Sequence, residues 1–311
     1  MRIALERIGM NLTLRIPTIR YMLVMVSDEY LHNMGFEYDA YNTTDPIRFN
    51  GGNGSPEMRE ILNAHIIPLN ANPIPDLTGT GLLESYAGEY VKFDHMKMSS
   101  SGTLEDLTST SRELQIDSTD IGTPLAGPQN GFVVYLDGAL TSSNTNVGDF
   151  LKNNLAAENP TSPFYKFYSY LTATDLYSAT DGVIKGVEVG LNYTLLIPNN
   201  EAMEQAIADG VLPASERTTN PLEIEKIKRF LLYHITRNSF AIDGKKTGAF
   251  ETLCKDIEGA AQSITVVSNQ PNMLQVRDIA GRTIEADIAH SNELGQRVLV
   301  HSLKGYLQNE L

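Results

Sequence analysis

Cysteine is almost absent: Cys254 is the only one among 311 residues. No intrachain disulfide can form, and cysteine usage says nothing about the compartment. Its stretch, Phe250-Glu251-Thr252-Leu253-Cys254, is apolar-rich and offers no nearby base, so it reads as a buried structural thiol and not as a nucleophile. Positive charge is also scarce, with 24 Lys and Arg against 38 Asp and Glu for a net charge of -14. That balance opposes the counterion release that supplies most nucleic-acid affinity, so neither DNA nor RNA is expected as a partner. No stretch reaches the roughly 18 apolar residues of a membrane span. Residues 1–20 hold no continuous apolar core of a signal peptide.

What is present suits a folded chain of two domains. Hydrophobic residues make up 41% and charged residues 20%, which excludes wholesale disorder, and 311 residues exceed what one core usually organises. Four anchors recur in the same order at an offset of about 170 residues. Tyr21-Met22-Leu23-Val24-Met25-Val26-Ser27-Asp28-Glu29 matches Tyr193-Thr194-Leu195-Leu196-Ile197-Pro198-Asn199-Asn200-Glu201, in each case a buried strand feeding a capped helix. Ile61-Leu62-Asn63-Ala64-His65-Ile66 matches Phe230-Leu231-Leu232-Tyr233-His234-Ile235. Gly81-Leu82-Leu83-Glu84-Ser85 matches Gly248-Ala249-Phe250-Glu251-Thr252, and Leu136 to Leu140 matches Leu303 to Leu307. The chain is therefore two modules, residues 1–143 and 144–311.

Local chemistry supports the pairing. Ser55-Pro56 and Asn220-Pro221 each open a helix with a capping side chain and a proline whose missing N–H costs nothing there. Ile224, Ile227, Phe230, Leu231 and His234 form one buried helical stripe. After Gly244 short strands alternate with turns: 263–267, 273–277, 283–288 and 297–303, with Asn269 to Asn272 and Asp278 to Arg282 turning between them. Each module thus begins helical and ends as an antiparallel meander, an α+β arrangement. Asn146 is expected to cap a helix carrying Phe150, Leu151 and Leu155, and Ser162-Pro163 to start another carrying Phe164, Phe167, Tyr168 and Leu171.

Tyr193 to Met203 resembles the first signature box of fasciclin domains, a strand ending in Pro-Thr/Ser-Asn/Asp-Glu-Ala-Phe. Phe230-Leu231-Leu232-Tyr233-His234-Ile235 is similar to that family's central Leu-Leu-Tyr-His segment, and Asn130 to Leu140 to its second box. The first copy departs with Val26 for the proline and Val134 for the box histidine; the second keeps that histidine as His301 but has Lys304 at the aspartate position. The resemblance implies tandem modules, each a β-sandwich wedge with helices packed on it. It also implies a non-enzymatic extracellular, cell-surface or envelope protein, including bacterial envelope lipoproteins, that mediates adhesion or holds protein and glycan partners.

Against that stand the catalytic possibilities. His65 and His234 recur, yet each sits at an apolar helix end where an imidazole can cap carbonyls and pack, so a structural role is expected. The possible interaction residues are Tyr233, His234 and His301, although Ala64 replaces the tyrosine in the first copy. His95 and His290 lack a second ligand at helical spacing, so no metal and no cofactor are expected. The acidic loop Asp117 to Asp120 lacks an EF-hand pattern, and Gly51-Gly52-Asn53-Gly54 lacks the strand and lysine of a phosphate cradle. No Gly-x-Ser-x-Gly occurs. Sequons stand at Asn11, Asn42, Asn53 and Asn192. The enzymatic alternative is a polysaccharide hydrolase with paired carboxylates.

Residues 146–192 supply a long helical lead-in to the second module, whereas the first has only residues 1–20. Its core is therefore expected to need another cover, from an upstream module or a second chain, since exposed apolar patches of that size are rare. On that expectation either Met1 is not the natural start or another chain covers this face, and residues 1–143 alone melt lower than residues 145–311.

Overall fold

Strand patterning and helix caps place the elements of both repeats in a computed structural model, which describes all residues except 17, 45, 51–55, 71–74, 106–112, 117–130, 189 and 310–311. The chain separates into two units, Met1–Ser143 and Asn144–Leu311. The Ser55 cap, the glycine run at 51–54, the acidic loop at 117–120 and Asn130 of the second box lie outside the described residues.

The first unit opens with two short helices, Arg2–Arg7 (α1) and Met10–Thr13 (α2), before the strand Arg20–Met25 (β1). Helix Asp28–Asn33 (α3) follows, and its Ser27 cap accepts from the Tyr30 amide at 3.3 Å. Strands Phe36–Tyr38 (β2) and Ile47–Phe49 (β3) pair as a hairpin. Helix Pro56–Ala64 (α4) then runs into Ile66–Asn70 (β4). Thr80–Glu84 (β5), Tyr90–Asp94 (β6), Lys97–Ser99 (β7), helix Ser101–Glu105 (α5) and Leu114–Gln115 (β8) come next, with the four strands forming an antiparallel meander. Gly131–Tyr135 (β9) returns parallel to β1, so β1 lies between β4 and β9. Ala4, Leu5, Ile8 and Met10 are buried in this unit's core, a short aliphatic cover from residues 1–20.

The second unit covers its sheet with aromatics. Helices Val147–Asn153 (α6) and Tyr165–Thr172 (α7) bury Phe150, Phe167, Tyr168 and Tyr170. Asn146 stands at the cap position of α6, but its side chain makes no capping bond; its amide nitrogen donates instead to the Asp181 carbonyl at 2.7 Å. The second helix begins two residues later than Ser162-Pro163 predicts, with the Ser162 hydroxyl donating to the Leu155 carbonyl at 2.9 Å. Tyr177–Ser178 (β10) and Val183–Ile184 (β11) form a small hairpin. Gly148 on α6 touches it, since an added Cβ would meet the Tyr177 ring at 2.5 Å and the Gly182 carbonyl oxygen at 2.7 Å. Gly148→Ala is expected to cost about 2 kcal/mol by overpacking, read as a lower urea midpoint at an unchanged slope.

Strand Tyr193–Pro198 (β12) then feeds helix Asn200–Ala208 (α8), whose Asn199 cap accepts from the Ala202 amide at 2.8 Å. Helix Pro221–Tyr233 (α9), capped by Asn220 through the Leu222 amide, runs into Ile235–Arg237 (β13). The meander comprises Gly248–Lys255 (β14), Ala261–Gln270 (β15), Met273–Arg277 (β16) and Thr283–Asp287 (β17), with Glu293–Gly295 (β18) and Val298–Leu303 (β19) last. Because β19 pairs with β17 on one side and lies parallel to β12 on the other, seven strands close into a barrel-like sheet, with β18 appended to β19. The fold is α+β. Every residue of β12 is buried because its two faces meet different cores: Tyr193, Leu195 and Ile197 face the helices, whereas Leu196 faces Tyr233, Cys254 and Val276 inside the sheet.

The two units repeat the pairings made by β1 and by β12. Leu23 pairs with Ile66 as Leu195 pairs with Ile235, and Tyr21 pairs with Gly131 as Tyr193 pairs with Val298. The Val24 amide donates to the His65 carbonyl at 2.9 Å, and the Leu196 amide to the His234 carbonyl at 2.8 Å.

Candidate functional site

The recurrent histidines end helices α4 and α9, and both are buried. His234 Nδ1 lies 2.8 Å from the Phe230 carbonyl oxygen and must donate to it, which leaves Nε2 to accept from the Leu307 amide at 3.0 Å. His65 does the same between the Ile61 carbonyl at 2.8 Å and the Leu140 amide at 3.0 Å. Each imidazole thus bolts a helix end to the segment that follows the unit's last strand. Burial strips water from both rings and pushes their pKa from 6.5 down to about 4. They are neutral at pH 7, as an accepting Nε2 requires.

His301 uses the opposite tautomer. Its Nε2 donates to the Phe240 carbonyl at 2.8 Å and its Nδ1 accepts from the Asn292 amide at 3.0 Å, and burial again holds its pKa near about 4. In the first unit the buried Val134 takes this place, packing where the imidazole bonds. The Tyr233 hydroxyl donates to the Ser263 carbonyl at 3.2 Å and accepts from the Ile279 amide at 3.0 Å. Tyr233, His234 and His301 are each 0% exposed. None presents its side chain at the surface, so any contribution they make to a contact runs through the segments they position. His234→Ala is expected to lower stability by about 2 kcal/mol, through a cavity and an orphaned Leu307 amide. A urea melt matching the parent's would refute that bolt.

A family model, the fasciclin domain, matches residues 162–307. The chain carries a fasciclin domain. The matched span contains β12, the His234 bolt and His301, so the signature boxes are the strands and helix end that hold this core together. The first unit has the same strand pairings about β1 and the same bolt at His65. A solved FAS1 domain pair from the insect cell adhesion molecule fasciclin I aligns over 99% of this chain and 97% of its own, at 13% identity and a TM-score of 0.37. No curated protein matches the chain.

Outside the boxes, the fasciclin domain contains a buried polar hub that sequence patterning did not single out. The carboxylate of Asp278, fully enclosed, accepts from the Arg282 amide, Nε and Nη2 at 2.9 Å and from the Gln308 amide at 3.0 Å. Arg282 also donates to the Tyr306 carbonyl at 3.2 Å and stacks over the Tyr306 ring at 4.3 Å. The hub ties the β16–β17 turn to the same segment that His234 holds. Cys254 is buried inside the sheet, and burial raises its thiol pKa, the environment of an inert thiol.

The first unit has a cleft of about 700 Å³ beside α1 and β2, with Asp28 and Glu37 among its lining residues. The Asp28 side chain is 99% exposed and lacks the water-excluding pocket in which a glycosidase holds its proton donor. Among the described residues no group of three His, Cys, Asp or Glu side chains could hold a metal ion. Among them, too, no helix is long and apolar enough to cross a membrane.

Proposed function

We propose that the chain is a non-enzymatic docking protein of the extracellular space or cell envelope, held at a surface and binding a protein or glycan partner through its tandem modules. The observation that carries this reading is the fasciclin domain at residues 162–307, because fasciclin domains are typically adhesion-related and occur in extracellular or surface proteins. The chemistry is consistent with it: the recurrent and box histidines His65, His234 and His301 and the thiol of Cys254 lie inside the fold, and the three imidazoles have both ring nitrogens engaged by backbone groups. An upstream module or a second chain over the first unit is part of the proposal. Its support is the short aliphatic cover from residues 1–20, beside which Ile3, Met25, Leu31 and Ile47 line an open cleft.

Arrays of glycans and of matrix and surface proteins, probed with the full chain, provide the test. Saturable binding to at least one class is the expected result. Silence across both sinks the docking reading.

A further inference from the structure

We propose that the cleft of the second unit where β12, β13 and β14 meet binds a neutral saccharide, an inference that rests on the docking function above and names its site and ligand class. The cleft holds about 560 Å³, within the range that ligand sites occupy, and its lining includes Leu191, Asn192, Arg237, Asn238, Phe250 and Glu251. The antiparallel register that pairs Thr236 with Thr252 brings Arg237 beside Glu251 on neighbouring strands. Neither of these two side chains makes an ion pair or hydrogen bond among the described residues, so a cationic donor fork and a carboxylate acceptor both stand open to a ligand.

The amide wall is unmatched and rigid. Asn192 Oδ1 is shielded from solvent without a hydrogen-bond partner, a condition that costs free energy until a donor meets it. The backbone that carries it is fixed, since the Asn238 amide donates to the Asn192 carbonyl at 2.8 Å and Asn238 is held in the left-handed region at φ 68°. Leu191, 47% exposed, and Phe250 also line the cleft and add apolar surface, the Phe250 ring packing on Phe240 at a centroid distance of 4.5 Å. Donors and acceptors interleaved over one small area beside an apolar wall suit a sugar ring, whose hydroxyls both give and accept and whose C–H face is apolar. The opposite charges of Arg237 and Glu251 favour no net ligand charge, and the -14 charge of the chain repels polyanionic glycans.

Amide-shift NMR on the full chain, titrated with a panel of neutral oligosaccharides and in parallel with a panel of extended peptides, tests the site. Sugars are expected to shift the amides of residues 190–193, 237–238 and 249–251. Arg237→Ala and Glu251→Gln should each weaken that binding about tenfold or more while melting like the parent, since neither side chain belongs to the core. Sugars that leave these amides unmoved, or variants that fold and bind as the parent does, overturn the proposal. Peptides that occupy the cleft in place of sugars, or a protein partner that binds elsewhere, also overturn it and leave the docking function standing.

Discussion

Lowering the pH from 7 to 4 should remove about 6 kcal/mol of stability from the second unit and about half as much from the first. The cause is the three buried imidazoles. His65, His234 and His301 have pKa values near about 4 in the fold against 6.5 when hydrated. The folded state resists protonation that the unfolded chain accepts, so stability is level above about pH 6.5, falls as the pH drops toward 4, and levels again once both states are charged. A drop of some 2.5 pH units at about 1.4 kcal/mol per unit gives about 3 kcal/mol per histidine. The second unit holds two of them and the first holds one. Because a domain's whole stability is about 5–15 kcal/mol, the second unit is expected to be largely unfolded near pH 4. Asp175, held below the usual carboxylate range by Lys185 and Lys228, adds a loss of the same sign only at lower pH. Urea titrations from pH 8 to 4, with hydrogen exchange resolved by segment, check this. Stability that stays level between pH 6.5 and 4.5, or units equally sensitive to acid, contradicts it.

Asp278→Ala is expected to destabilise the second unit by about 3 to 4 kcal/mol, the lower part of the roughly 3 to 5 kcal/mol usual for removing one partner of a buried, hydrogen-bonded ion pair, since the Arg282 side chain is 33% exposed. The substitution orphans the Arg282 and Gln308 amides together and releases the guanidinium from the Tyr306 ring. Asp278→Asn keeps an acceptor oxygen of the same shape and should recover about half of that loss. Arg282→Ala should cost less than Asp278→Ala, because the arginine side chain is 33% exposed and water can replace part of its role for the carboxylate. An Asp278→Ala protein within about 1 kcal/mol of the parent shows that the hub is not what holds the turn.

The buried strand at Tyr193, the Asn199 and Asn220 caps, the stripe of α9 and the turns of the meander were all legible in the sequence, because each depends on neighbours a few residues away. The repeat was legible for the same reason, since two copies of local patterns advertise each other. Half of the histidine's role was local as well: Nδ1 reaches the carbonyl four residues back in its own helix. The other half was not, since the Leu307 amide arrives from a segment 73 residues away. Asn146 shows the opposite case, a local signal that places it at the cap position while its side chain bonds a carbonyl 35 residues along the chain.

The sequence by itself determined that the chain is a repeated α+β module with apolar strands and capped helices, because periodicity and capping act over one or two turns. Only the tertiary structure decided that β19 returns parallel to β12 and closes the sheet, and that Tyr233, His234 and His301 lie inside the fold. It likewise decided that Arg237, Glu251 and Asn192 share one cleft. Those facts depend on contacts between residues far apart in the chain, whose pairing is chosen by burial of the whole core and leaves no periodic mark along the sequence.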